Sequence, residues 1–124
     1  MGYSGRLVTE DEFRTELQVK LWDMHGMYDY VTGPGRSGAI ASVYASHYLG
    51  IPFVPYKHKS HGDVLIIDTA SQSGRTLRKA SRFYGGADTV HIYSEPPRVR
   101  FWYEELSRVR GKGREFTGPY CREV

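Results

Sequence analysis

The sequence predicts a single α/β domain whose twisted sheet is mainly parallel and flanked by helices. Residues 64–67 are four consecutive aliphatic residues bounded by turn-forming ones, which is typical of a strand buried on both faces of a parallel sheet. Strand-like and helix-like segments alternate through residues 28–93, as they do in βαβ units. The 124 residues are enough for one well-packed core and too few for two domains.

The first half of the chain supplies four elements in order. Thr9 and Glu12 form a capping-box pattern, and apolar residues then recur at helical spacing, so we predict a helix over residues 10–24. A short strand is expected at residues 28–32, a turn at 33–38, and a small-residue helix at 39–49 that ends at Gly50. Two prolines in residues 51–56 indicate an edge strand or a strand end, followed by a polar loop over 57–63.

In the second half of the chain, predicted strands and helices alternate as far as residue 93. We predict a strand at residues 64–68, a helix at 75–84 and a strand at 89–93. Beyond Pro96 and Pro97 we expect a helix over 101–109 and one short strand around Phe116. The aromatic residues of this region are expected to be core or dimer contacts rather than a stacking surface for a base, namely Tyr93, Phe101, Trp102 and Tyr103.

Composition narrows the class of protein. No apolar stretch approaches the roughly 20 residues of a membrane helix, and no signal-peptide core is visible, so we expect a cytoplasmic protein. Cys121 is the only cysteine, which excludes an intrachain disulfide and a cysteine-cluster metal site. The net charge of +3 comes from residues 96–124, which hold seven Lys/Arg and four Asp/Glu, whereas residues 1–95 hold ten of each. This basic segment is expected to be a solvated surface, with nucleic-acid binding as the less favoured alternative.

A candidate site follows the central strand. Asp68 stands at its carboxyl end, where open α/β sheets bind ligands. The next turn combines polar side chains with the free N–H groups of a helix N-terminus, which favour a phosphate. Those side chains are Ser71, Gln72, Ser73 and Thr76. A carboxylate beside a phosphate seat suits the hydroxyls of a ribose, so the residues themselves predict a sugar-phosphate site. The histidines show no metal-ligand spacing, and no protein-bound metal is expected.

At these residues the chain resembles the type I phosphoribosyltransferases. The family signature is a hydrophobic strand, two acids and a Thr/Ser-rich loop around one glycine; the matches are residues 64–67, Asp68, Ser73, Gly74 and Thr76. The resemblance implies that Asp68 and Thr69 contact the ribose of phosphoribosyl pyrophosphate. It also implies that the 5′-phosphate is held by Ser71, Gln72, Ser73, Gly74, Arg75 and Thr76.

Two further segments extend the resemblance upstream. Residues 28–38 are similar to the family's pyrophosphate-binding loop, which implies pyrophosphate contacts from Gly33, Pro34, Gly35, Arg36, Ser37 and Gly38. Residues 59–62, Lys-Ser-His-Gly, resemble the catalytic loop of orotate phosphoribosyltransferases, which implies catalytic roles for Lys59 and His61 together with Arg36.

The chain also departs from the family pattern. Thr69 replaces the second acid, and only Gly62 and Asp63 separate His61 from the signature strand, which leaves no room for a long closing loop. The resemblance implies a homodimeric enzyme that uses the donor with Mg²⁺, held through the ligand, to transfer ribose 5-phosphate to a nitrogenous base and release pyrophosphate. The departures keep a second hypothesis open, a protein that binds a phosphoribosyl compound or nucleotide without turnover.

Overall fold

A computed structural model of the chain describes residues 7–70, 74–93 and 100–103. At its centre is a three-stranded parallel sheet of β2 (Tyr30–Thr32), β3 (Val64–Ala70) and β4 (Asp88–Tyr93), in the order β2-β3-β4. Tyr30 pairs with Val64, and Leu65 pairs with Asp88. The predicted α/β class with a parallel sheet is confirmed, and the apolar strand is the central one.

The segment 51–56 lies along the outer side of β2. Phe53 forms a parallel bridge with Val31; the Val31 N–H donates to the Pro52 carbonyl at 2.9 Å, and the Val54 N–H donates to the Val31 carbonyl at 2.9 Å. Proline has no N–H to donate, so the residues on either side of this bridge cannot extend the ladder fully. Residues 51–56 therefore form a single bridge and not the full strand that was predicted, although their edge position agrees with the two prolines.

In the described part of the chain, three helices cover the sheet. They are α1 (Glu10–Leu21), which continues as a 3₁₀ turn over Trp22–Met24, α2 (Gly35–Leu49) and α3 (Arg75–Phe83). The Thr9 hydroxyl caps α1 by accepting from the Glu12 N–H at 3.2 Å, as the capping pattern predicted. Helices α1 and α2 pack on one face of the sheet around a core that includes Phe13 and Leu65, while α3 packs on the other face against Ile66.

Two strands were not predicted. β1 (Leu7–Val8) pairs in parallel with β5 (Arg100–Phe101). The prediction that residue 101 begins a helix was therefore wrong at that residue, because a pairing 93 positions away in sequence takes it into a strand. Residues 102 and 103 are helical, as predicted. Residues 104–109 of that helix, the strand around Phe116, Cys121 and most of the basic segment lie outside the described residues.

Helix α2 begins at Gly35, four residues before the predicted start. Pro34 occupies the N-cap in an extended conformation, and Gly35 turns the chain into the helix at φ +72°. The glycine-rich run is thus mostly the first turn of a helix rather than a loop. No helix in the described part of the chain is long and apolar enough to span a bilayer.

Candidate functional site

Asp68 lies near the carboxyl end of β3, on the same face as Ile66. Its side chain is partly buried, and its Oδ1 accepts a hydrogen bond from the Thr69 N–H at 2.8 Å. Burial raises the pKa of Asp68 above its ordinary value, and this hydrogen bond acts in the opposite direction. A carboxylate withdrawn from water benefits from added donors, and the paired hydroxyls of a sugar are donors of that kind.

The turn before α2 is pressed against the central strand. A Cβ on Gly33 would overlap the carbonyl oxygens of Gly38 and Ile67, and would lie 2.5 Å from the Gly38 carbonyl carbon. Only a glycine fits at residue 33, because these obstructing atoms belong to the backbone. The turn therefore lies one residue from Asp68 along β3.

The N-terminus of α2 is open to an anion. No described side chain caps it, and its first internal hydrogen bond runs from the Gly38 N–H to the Pro34 carbonyl at 3.1 Å. The N–H groups of Gly35, Arg36 and Ser37 precede that bond and have no acceptor within the helix. Together with the positive end of the helix dipole and the exposed Arg36 side chain, they favour a negatively charged ligand.

The N-terminus of α3 also favours a negatively charged ligand. Gly74 is its N-cap at φ +77°, where a side chain would be strained, and no described side chain caps the helix. Arg75 and Thr76 follow in the first turn and are exposed. Helices α2 and α3 follow parallel strands β2 and β3, so their N-termini face the same edge of the sheet. The predicted phosphate residues Ser71, Gln72 and Ser73 lie outside the described residues.

Thr69 does not share the position of Asp68. Its side chain is 3% exposed and, by strand alternation, points to the face covered by α1 and α2. The structure therefore does not bring the two predicted ribose-binding side chains together. One ionisable acid, not two, stands at this end of β3.

Lys59 and His61 lie at the opposite edge of the sheet. The Tyr84 hydroxyl, at the end of α3, accepts from the Lys57 N–H at 2.7 Å and donates to the His58 carbonyl at 2.8 Å, which fixes the loop there. Lys59 Nζ lies 4.9 Å from the centre of the Phe83 ring. His61 is on the same loop, just before the amino end of β3.

A cavity of about 540 Å³ marks that opposite edge. Its lining includes Lys59 and the first residues of all three central strands, Tyr30, Val64 and Asp88. Four residue steps separate Val64 from Asp68, which is about 13 Å along a strand. The structure thus does not bring Lys59 and His61 to the site around Asp68.

The carboxyl edge has one neighbour that the sequence motifs did not place there. Tyr103 donates a hydrogen bond from its hydroxyl to Ser37 Oγ at 2.9 Å, in the first turn of α2. Tyr93 and Phe101 are buried in the core, as expected for that aromatic group, while Trp102 and Tyr103 are partly exposed. No local spacing connects residues 37 and 103, so the contact could not be found from sequence periodicity.

The donor set at the site suits a metal only in part. Among the described residues, no group of three His, Cys, Asp or Glu side chains is placed to hold an ion. Asp68 is a single carboxylate. A Mg²⁺ ion fits this edge if phosphate oxygens of a ligand supply most of its coordination, which is a common arrangement for that ion.

Comparison with known proteins places the fold. No family model matches the chain, and no curated protein matches it. Solved structures do match. Helicobacter pylori xanthine-guanine-hypoxanthine phosphoribosyltransferase has a TM-score of 0.63 at 12% identity, covering 87% of this chain and 98% of its own. Pyrococcus horikoshii purine phosphoribosyltransferase has 0.59 at 20% identity, covering 78% and 92%.

A third match is a hypothetical protein from Neisseria gonorrhoeae with bound ppGpp, with a TM-score of 0.57 at 13% identity, covering 80% of this chain and 82% of its own. At such identities the likeness shows the fold alone. The chain has the fold of the type I phosphoribosyltransferases, in agreement with the resemblance of its motifs.

Proposed function

We propose that this protein binds phosphoribosyl pyrophosphate at the carboxyl edge of its sheet and transfers ribose 5-phosphate to a nitrogenous base. In this reaction the bond from C1 of the ribose to a pyrophosphate oxygen breaks, a bond from C1 to a nitrogen of the base forms, and pyrophosphate leaves. The observation that carries the proposal is the pair of helix N-termini, α2 and α3, that open beside Asp68 without a described side-chain cap.

Each end of the donor has a matching group. Asp68 accepts hydrogen bonds from the ribose hydroxyls, and the first turn of α3, with the preceding residues 71–74, receives the 5′-phosphate. The first turn of α2 receives the pyrophosphate, where the Arg36 guanidinium can pair with two oxygens at once. Because negative charge grows on the pyrophosphate as it leaves, donors fixed at this position stabilise the transition state more than the ground state.

A divalent cation fits as a partner of the ligand. Mg²⁺ would be held by oxygens of the donor, with Asp68 as the nearby protein carboxylate, and it would supply positive charge to the pyrophosphate. The base is left open in this proposal. Lys59 and His61, on which the likeness to orotate enzymes rested, are given no part in it because they lie at the other edge.

A second candidate is a protein that binds a phosphoribosyl compound or nucleotide without turning it over. Two observations favour it. Thr69 is neutral and buried where the family signature has its second acid. Tyr84 holds the short loop 57–63 at the opposite edge, so that loop does not cover the site and exclude water from a reacting sugar.

Calorimetry and a release assay separate the two candidates. Titration of phosphoribosyl pyrophosphate with Mg²⁺ measures binding, and pyrophosphate release over a panel of purine and pyrimidine bases measures turnover. Binding with release for at least one base supports the transferase; binding without release for any base supports the second candidate. Absence of binding refutes both.

A pair of variants tests the position of the site. Asp68→Asn removes the charged acceptor, so the donor should bind at least about 5-fold more weakly. Asp23→Asn makes the same change on the exposed 3₁₀ turn after α1 and should leave binding as in the parent protein. Equal affinities for the two variants would mean that the site is elsewhere. Sedimentation of the parent protein tests the expected homodimer.

A further inference from the structure

We propose that Tyr103 is a positioning residue that orients the Ser37 hydroxyl towards the pyrophosphate, an inference that rests on the proposed function. The Tyr103 hydroxyl donates to Ser37 Oγ at 2.9 Å. Ser37 is the third residue of α2, beside the N–H groups that precede the first internal hydrogen bond of that helix. The contact joins residue 103 to the anion-binding end of the site.

The Tyr103 ring is held in place by its neighbours. It stacks on Phe101 with the ring centres 5.5 Å apart and the planes 4° from parallel, and it meets Trp102 edge to face at 5.1 Å. Phe101 is 3% exposed and belongs to β5, which pairs with β1. The hydroxyl of Tyr103 therefore projects towards Ser37 from a ring whose orientation is set by the core.

The chemistry of two hydroxyls fixes the direction of the bond. A phenol is more acidic than an aliphatic alcohol, so the Tyr103 hydroxyl is the better donor and Ser37 Oγ the acceptor. The Ser37 proton is then directed to another acceptor. Next to the positive end of α2, the acceptor best favoured by the local field is an anion, so Ser37 adds a side-chain donor to the N–H groups of the first turn.

The test uses Tyr103→Phe, which keeps the stacked ring and removes the hydroxyl alone. We expect the affinity for inorganic pyrophosphate with Mg²⁺ to fall about 3- to 10-fold, the usual effect of one hydrogen bond. Affinity for ribose 5-phosphate should stay unchanged, because its phosphate binds at α3. Tyr44→Phe is the matched control, since Tyr44 packs against Trp102 and its hydroxyl donates to Glu10 at 2.6 Å, away from Ser37.

A double-variant cycle tests whether Tyr103 acts through Ser37. Ser37→Ala should weaken pyrophosphate binding by itself, and adding Tyr103→Phe to it should produce no further loss. An equal loss for pyrophosphate and ribose 5-phosphate, or the same loss with and without Ser37, would overturn the inference in favour of a general structural effect.

The parent protein distinguishes failure of this inference from failure of the proposed function. If it binds both ligands while Tyr103→Phe binds pyrophosphate as tightly as Tyr44→Phe does, only the role of Tyr103 is refuted. If the parent protein binds neither ligand, the proposed function and the role of Tyr103 are refuted together.

Discussion

Replacement of Gly33 by alanine tests the close contact on which the site geometry depends. The backbone of Gly33 is not in the left-handed region, so alanine meets no conformational strain there. The added methyl group instead overlaps the carbonyl oxygens of Gly38 and Ile67. Both are backbone atoms, one in α2 and one in β3, and relief of the overlap requires one of these elements to move.

The expected cost follows from that overlap. Overpacked side chains usually cost about 1–3 kcal/mol, and the upper end, about 3 kcal/mol, applies when no flexible side chain can yield. Gly35→Ala is the matched control: Gly35 has φ +72° and no described atom within 4 Å of the added Cβ. Gly35→Ala should therefore lower the free energy of unfolding through conformational strain alone, by about 1 kcal/mol.

Urea unfolding measures the difference. With an m-value of about 1.5 kcal/mol/M, the midpoint should fall by roughly 2 M for Gly33→Ala and by less than about 1 M for Gly35→Ala. Gly33→Ala should also weaken binding of ribose 5-phosphate, because a displaced β3 moves Asp68. If Gly33→Ala were no less stable than Gly35→Ala, the turn would not lie against β3 as described.

Two further variants separate stability from binding. Burial raises the pKa of Asp68 in the folded protein above its unfolded value of about 3.8. The contribution of Asp68 to the free energy of unfolding is therefore fully present below pH about 3.8 and is lost as the pH rises through the raised pKa. At neutral pH the ionised side chain opposes folding. Asp68→Asn should therefore raise the urea midpoint at pH 7, with a difference that shrinks towards pH 3; a lower midpoint at pH 7 would contradict this. Tyr84→Phe removes the hydroxyl that bonds Lys57 and His58, and should cost about 1–2 kcal/mol while ribose 5-phosphate binds as before. Loss of that binding would place loop 57–63 at the site after all.

Local signals in the sequence were sufficient to predict the central strand, the first helix and Asp68. The consecutive aliphatic residues of β3 could be recognised because burial on both faces leaves no polar alternation. Helix α1 could be predicted because a capping threonine and a helical apolar spacing agree. Asp68 could be singled out because it follows the aliphatic run near the carboxyl end of the strand, where open α/β sheets bind ligands.

Signals that depend on tertiary contact were missed. The pairing of β1 with β5 joins residues far apart in sequence, and strands of two residues carry no periodicity. The early start of α2 was hidden because Gly-Pro-Gly usually marks a loop, whereas here Gly33 is required by close approach to Ile67. The position of Lys59 depends on the hydrogen bonds of Tyr84, which no motif spacing records.

The same contacts bear on whether the protein turns its ligand over. Loop 57–63 can reach the carboxyl edge only if both hydrogen bonds of Tyr84 and the contact of Lys59 with Phe83 are broken. Residues 100–103 already lie beside the first turn of α2 through Tyr103. A transferase of this design should therefore keep pyrophosphate release on Lys59→Ala, whereas Tyr103→Phe should slow release by about the same 3- to 10-fold as it weakens pyrophosphate binding. Loss of release on Lys59→Ala would contradict the placement of that loop away from the site.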